Sequence, residues 1–151
     1  MGQGRIAINS KTLLSTIAEA ASDKKAENIV LLDVRGLTSY TDYIVLATGN
    51  SNRQVTAIGE HVEKKIQEAG GPKLAGREGY EQGLWVLIDF SEVIVHILEP
   101  AQRDIFDLEH LWAAAPRVAW NPLSPPKELF ASVSAHLAAD AAPRVRARRA
   151  R

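Results

Sequence analysis

Cysteine is absent from this chain of 151 residues. Disulfides, thiol catalysis and thiolate zinc sites are excluded with it. No run approaches the ~20 apolar residues that cross a bilayer. The opening "MGQGRIAINSK" has no continuous apolar segment, so a secretory signal is not expected. Ile6 stands where N-myristoylation needs Ser or Thr. These absences make a cytoplasmic protein the expectation. Also missing are GxSxG, a P-loop, HExxH, and a GxGxxG followed by an acidic residue. His61, His96, His110 and His136 do not fall at metal-ligand spacing, so neither metal nor cofactor is expected. Aromatic residues make up only 6% of the chain, so one placed outside the core calls for a reason.

What is present is charge, unevenly spread. The formal net charge is zero, but residues 1–115 hold 11 Lys or Arg against 16 Asp or Glu. Residues 116–151 hold 7 against 2. Between Glu78 and Glu109 there are eight acidic residues and one basic, Arg103. Such a surface attracts a cationic partner and repels bare nucleic acid. The end, "RVRARRAR", does the opposite.

A chain of this length buries roughly two thirds of its unfolded surface, enough for one core. Residues 1–9 read as a tail, 10–115 as the folded domain, and 116–151 as a Pro-, Ala- and Arg-rich extension, partly helical or disordered. A first helix starts at Ser10, with Leu13, Leu14, Ile17, Ala18 and Ala21 on one face. "IVLLDV" and "YIVLAT" read as strands. In "GNSNRQV", Ser51 and Gln54 fit a capping box opening a second helix with Val55, Ile58, Val62 and Ile66 inward. The next strand, near "KLAGREGY", would complete a right-handed parallel crossover.

"GLWVLIDFSEVIVHILEP" resolves into two strands, Leu84 to Phe90 and Val93 to Leu98, turning at Ser91 and Glu92. Period-two alternation puts Val86, Ile88, Phe90, Val93, Val95 and Ile97 on a wholly apolar face, which must be core. The other face carries Trp85, Leu87, Asp89, Ile94, His96 and Leu98. A final helix, "RDIFDLEHLW", places Ile105, Leu108, Leu111 and Trp112 at helical spacing. "PRVAWNPLSPP" reads as a linker and "KELFASVSAHLAADA" as an amphipathic helix. The expected fold is α/β, a mixed sheet of about five strands packed with helices, in the order α-β-β-α-β-β-β-α plus the extension.

Two functional readings compete. The strand end "LATGNS" feeding a helix suits a phosphate, so a metal-dependent nucleotidyltransferase or nucleotide-binding domain would use Gly49, Ser51 and Asp89. Such an enzyme needs paired carboxylates for two metal ions, and Asp89 stands alone on its strand. Asp89 and His96 could form a diagonal cross-strand pair, but with no nucleophile beside it. In the other reading, Trp85 anchors a partner surface widened by Leu87 and Leu98 and rimmed by Asp89, Glu92 and Glu78. A Trp ringed by charge has the composition of a binding hot spot. Such a patch would also let the free chain pair with itself as a homodimer.

The stretches "LLDVRGLTSYTDYIVLATGNSNRQV", "GLWVLIDFSEVIVHIL" and "RDIFDLEHLWAAA", in this order over about residues 10–115, closely resemble the ribosomal silencing factor family, also called Iojap-like. The resemblance implies a nucleotidyltransferase-like topology without the activity. It further implies a translational repressor that binds ribosomal protein fourteen of the large ribosomal subunit and blocks association with the small subunit under nutrient limitation. By the same resemblance, Trp85 and its neighbours in "LWVLIDFSEVIVHIL", here Leu87, Asp89, Glu92, His96 and Leu98, would carry that contact, and the surface reading adds Glu78. Outside the resemblance, Arg144, Arg146, Arg148, Arg149 and Arg151 suit a salt-dependent contact with ribosomal RNA phosphates.

Overall fold

The buried stripe of the first segment closes into α1 (Ser10–Asp23), with Leu13, Leu14, Ile17, Ala18 and Ala21 inside. Asn9 caps it, its side chain accepting the Thr12 N–H at 3.0 Å. Residues 9–120 are described by a computed structural model of the chain. The expected helix at 127–141 and the arginines from Arg144 to Arg151 lie outside them.

After α1 come β1 (Glu27–Asp33), β2 (Tyr43–Thr48) and α2 (Asn52–Glu68). Ser51 caps α2 by accepting the Gln54 N–H at 3.0 Å. The reciprocal bond of the capping box falls one residue early, from Asn50 N–H to Gln54 Oε1 at 2.6 Å. The Gln54 amide also donates to the carbonyls of Lys24 and Lys25, so the start of α2 is tied to the end of α1.

Then follow β3 (Gly76–Glu78), β4 (Trp85–Asp89), β5 (Val93–Leu98), α3 (Pro100–Phe106), α4 (Leu108–Leu111) and β6 (Arg117–Val118). The strands form one six-stranded mixed sheet in the order β3-β4-β5-β2-β1-β6, in which β2 and β5 are the parallel pair. The fold is therefore α/β, as expected, with a sixth strand from the segment read as a linker. β6 holds its place by pairing Val118 with Leu31 and Arg117 with Leu32.

β3 was expected beside β2. It runs in the direction of β2 but sits at the far edge, with the β4–β5 hairpin between them. Burial explains the exchange. β5 is apolar almost throughout and suits a central parallel neighbour, whereas the three mostly exposed residues of β3 tolerate an edge.

One face of the sheet packs on α1 and α2. Val86, Ile88, Phe90, Val93, Val95 and Ile97 all join that core, as alternation required. A second apolar cluster, Leu32, Val34, Leu37, Ile44, Leu46, Trp112 and Ala115, covers the β2–β1 part of the other face.

The final helix is not one rod. Asp107 has φ 42° and ψ 54°, the left-handed region, and separates α3 from α4. Asp is among the few side chains that enter this region at modest cost. The break corrects the expected buried stripe: Trp112 is buried, but Ile105 is 69% exposed, Phe106 48% and Leu111 38%.

Candidate functional site

The β4–β5 register is the one that alternation requires: Asp89 opposite Ile94, Leu87 opposite His96 and Trp85 opposite Leu98. The turn is the expected two-residue loop, closed by the Phe90 N–H donating to the Val93 carbonyl at 2.9 Å, with a tighter bond inside it. Ser91 stands at φ 73°, the Glu92 N–H donates to the Phe90 carbonyl at 2.9 Å, and the Asp89 carboxylate accepts the Ser91 N–H at 2.7 Å. Asp89 is thus committed to holding its own turn.

His96 bonds to Trp85 rather than to Asp89, so the proposed Asp89–His96 pair does not form. The indole Nε1–H of Trp85 donates to His96 Nδ1 at 3.0 Å, a diagonal cross-strand contact. Phe106 from α3 then leans on the indole, ring centroids 4.7 Å apart at 52°. A Trp outside the main core is made rigid by a hydrogen bond on one side and a ring on another, while it stays partly exposed.

Leu87 is likewise half-buried, and Glu78 of β3, paired with Leu87, is exposed. Leu98 does not belong to this surface: it is fully buried. Glu92 is drawn to α1, where its carboxylate accepts from Ser10 Oγ at 3.0 Å. Sequence reasoning missed Phe106. Helical spacing turned Ile105 inward, and an Asp able to adopt positive φ was the one available sign of a break.

Behind Phe106, Arg103 anchors α3. Its side chain is 9% exposed; Nη1 donates to Thr48 Oγ1 at 2.7 Å and Nε to Glu109 at 3.3 Å, while Nη2 is buried without a partner. The other Glu109 oxygen meets Arg117 at 3.2 Å. β2, α3, α4 and β6 are joined through these groups.

Burial pushes the His96 pKa down to about 4, so the imidazole is neutral at pH 7 and free to accept from Trp85. The unfolded chain takes up this proton near 6.5, and the folded chain only near 4. Stability should therefore fall as pH drops from 6.5 towards 4, by about 3 kcal/mol, and then level off. His96→Asn keeps an acceptor near the position of Nδ1 but cannot charge. Urea unfolding at pH 7 and pH 4.5 should show the variant losing less stability than wild type; equal losses would assign the acid sensitivity elsewhere.

The residues of the nucleotide reading do not meet. Asp89 lies beside Ile94, which pairs with Ile44 at the start of β2, whereas Gly49 and Ser51 follow its other end. The separation is roughly 16 Å along the strands and about 10 Å across them. His61 lies half-buried against Asp23 at 3.1 Å, and His110 is exposed. Among the described residues no group of three His, Cys, Asp or Glu could hold a metal, and no helix is long and apolar enough to cross a membrane.

The family described as "Ribosomal silencing factor during starvation" matches residues 7–149. The chain belongs to the ribosomal silencing factor family. A silencing factor of Chromobacterium violaceum is 47% identical over 94 residues, 62% of this chain and 76% of that one. One from Halalkalibacterium halodurans is 40% identical over 111 residues, 74% of this chain and 94% of that one. A crystal structure of a Chromobacterium violaceum protein, 42% identical, superposes with a TM-score of 0.68 over 70% of this chain and 88% of the other. Ribosomal silencing factors form a regulatory family, named for an effect on translation rather than for a reaction. The half-open hairpin face carrying Trp85 is thus part of a silencing-factor fold.

Proposed function

We propose that this protein represses translation by binding the large ribosomal subunit through ribosomal protein fourteen and sterically excluding the small subunit. The observation that supports this most is the placement of Trp85. It is held rigid by His96 and Phe106, half-open to solvent, and flanked by Leu87 and the exposed carboxylate of Glu78. A pre-ordered aromatic anchor beside an exposed carboxylate suits a basic protein surface, whose charge steers encounter while the aromatic supplies affinity. Blocking needs only occupancy, and a Kd of roughly 10⁻⁷ M, about −9.5 kcal/mol, suffices at micromolar protein.

The direct test is co-sedimentation with purified large and small subunits. Binding to the large subunit alone, weakened by salt, is expected; binding to the small subunit, or to neither, contradicts the reading. Deleting residues 144–151 should leave binding in place but reduce it and its salt dependence, as expected if those arginines add phosphate contacts. Complete loss on that deletion would transfer the function to the tail as an RNA-binding module. Titration with nucleotide and magnesium should give no saturable signal.

A further inference from the structure

The segment that leads into Trp85 is fastened to α2 from the opposite side of the sheet. β3 divides its side chains between two faces: Glu78 lies beside Leu87 on the docking side, while Arg77, paired with Ile88, lies on the α2 side. There Arg77 Nε meets the Glu63 carboxylate of α2 at 3.2 Å. Its guanidinium sits 3.8 Å over the ring of Tyr80, and the Tyr80 hydroxyl donates to the same carboxylate.

Two glycines shape the fit. A Cβ on Gly59 of α2 would lie 2.5 Å from the Tyr80 hydroxyl, so the phenol rests where the helix has no side chain. Gly79, at φ 89°, lies so close to the Trp85 carbonyl that a Cβ would fall 1.9 Å from it. The Gly83 N–H returns to the Gly79 carbonyl at 2.9 Å, and the Leu84 carbonyl accepts the Glu99 N–H at 3.0 Å. Arg77, Gly79 and Tyr80 therefore bear on where Trp85 begins.

We propose that Tyr80, Glu63 and Arg77 are positioning residues: they clasp the Gly79–Trp85 segment to α2 and so hold Trp85 and Glu78 in the arrangement that docks. This rests on the docking reading above and adds to it. The clasp touches no partner; it acts by keeping the competent form populated. If only a fraction of molecules is competent, the apparent Kd rises in inverse proportion, and the loss falls on association.

Amide hydrogen exchange on the free full chain tests the clasp without a ribosome. Tyr80→Phe and Gly59→Ala should each speed exchange in Gly79–Leu84, read at the bonded Gly83 amide, by about 10-fold while buried amides of α1 and β5 keep their rates. Glu63→Gln, which still accepts from Tyr80, should recover most of the protection. On purified large subunits, Tyr80→Phe should slow association by the factor by which the competent fraction falls, about 2-fold or more, and leave dissociation near wild type. Unchanged exchange at Gly79–Leu84 would overturn the clasp, as would a uniform rise across the molecule, which marks general destabilisation. Faster local exchange with wild-type association would overturn its positioning role. A wild-type chain that ignores large subunits would remove the docking reading itself, with the exchange result still deciding whether the clasp exists.

Discussion

Trp85→Ala is expected to weaken large-subunit binding by at least about 30-fold, the lower end of the ~2–4 kcal/mol carried by a hot-spot Trp. Affinity should fall by more than stability does. The indole is only partly buried, and its loss removes ring contacts with Phe106 and His96 and one hydrogen bond to a neutral His96. That costs about 1–2 kcal/mol of unfolding free energy. Trp85→Phe should sit between the two, restoring the ring but not the N–H donor. Phe106→Asp separates contact from scaffold: the side chain is exposed, so stability should hold within about 1 kcal/mol, while binding should fall at least 10-fold if α3 borders the docked partner. Equilibrium binding to purified large subunits and urea unfolding of the same preparations supply both numbers. Loss of affinity in strict proportion to loss of stability would mean that Trp85 matters only to folding.

Arg103→Ala is the substitution expected to damage the fold most. The guanidinium is nearly enclosed, and truncation removes its bonds to Thr48 and Glu109 together with the stem that seats α3. Breaking such a buried pair typically costs ~3–5 kcal/mol. Arg103→Met gives the contrasting result. One guanidinium nitrogen already lacks an acceptor, and Glu109 keeps Arg117, so an apolar stem of similar length should cost only about 1 kcal/mol. Equal, large losses in both variants would show that charge rather than packing seats α3. Because Phe106 is carried on that helix, Arg103→Ala should also lower large-subunit affinity, and Arg103→Met should largely preserve it.

The parts of the fold that could be read in the sequence are those with a strong period. Alternation in "WVLID" and "VIVHIL" sets both the register and the core face of the hairpin, because a one-residue slip would send Val86, Ile88, Val95 and Ile97 to the other side. The stripes of α1 and α2 are equally explicit. Alternation cannot reveal what covers a face, and that is where the candidate site was misjudged. Leu98 and Trp85 share a side of the sheet, yet one is sealed and the other half-open.

The break at Asp107 escaped for a related reason. Ile105, Leu108, Leu111 and Trp112 fit a continuous helix, and one residue at positive φ cancels that pattern without altering composition. β6 has only two residues in a Pro-rich stretch, too short for any period; its pairing with β1 defines it. The acidic rim was legible as charge but not as geometry. Asp89 is spent on a turn and Glu92 on Ser10, which leaves Glu78 as the exposed carboxylate beside Leu87.

Light scattering of subunit joining, with purified large subunits pre-mixed with excess protein before small subunits are added, bears most directly on steric exclusion. Wild type should reduce the extent of joining in proportion to its occupancy of large subunits, and Trp85→Ala at the same concentration should leave joining intact. Equal inhibition by the two proteins, or full joining on large subunits saturated with wild type, would contradict it.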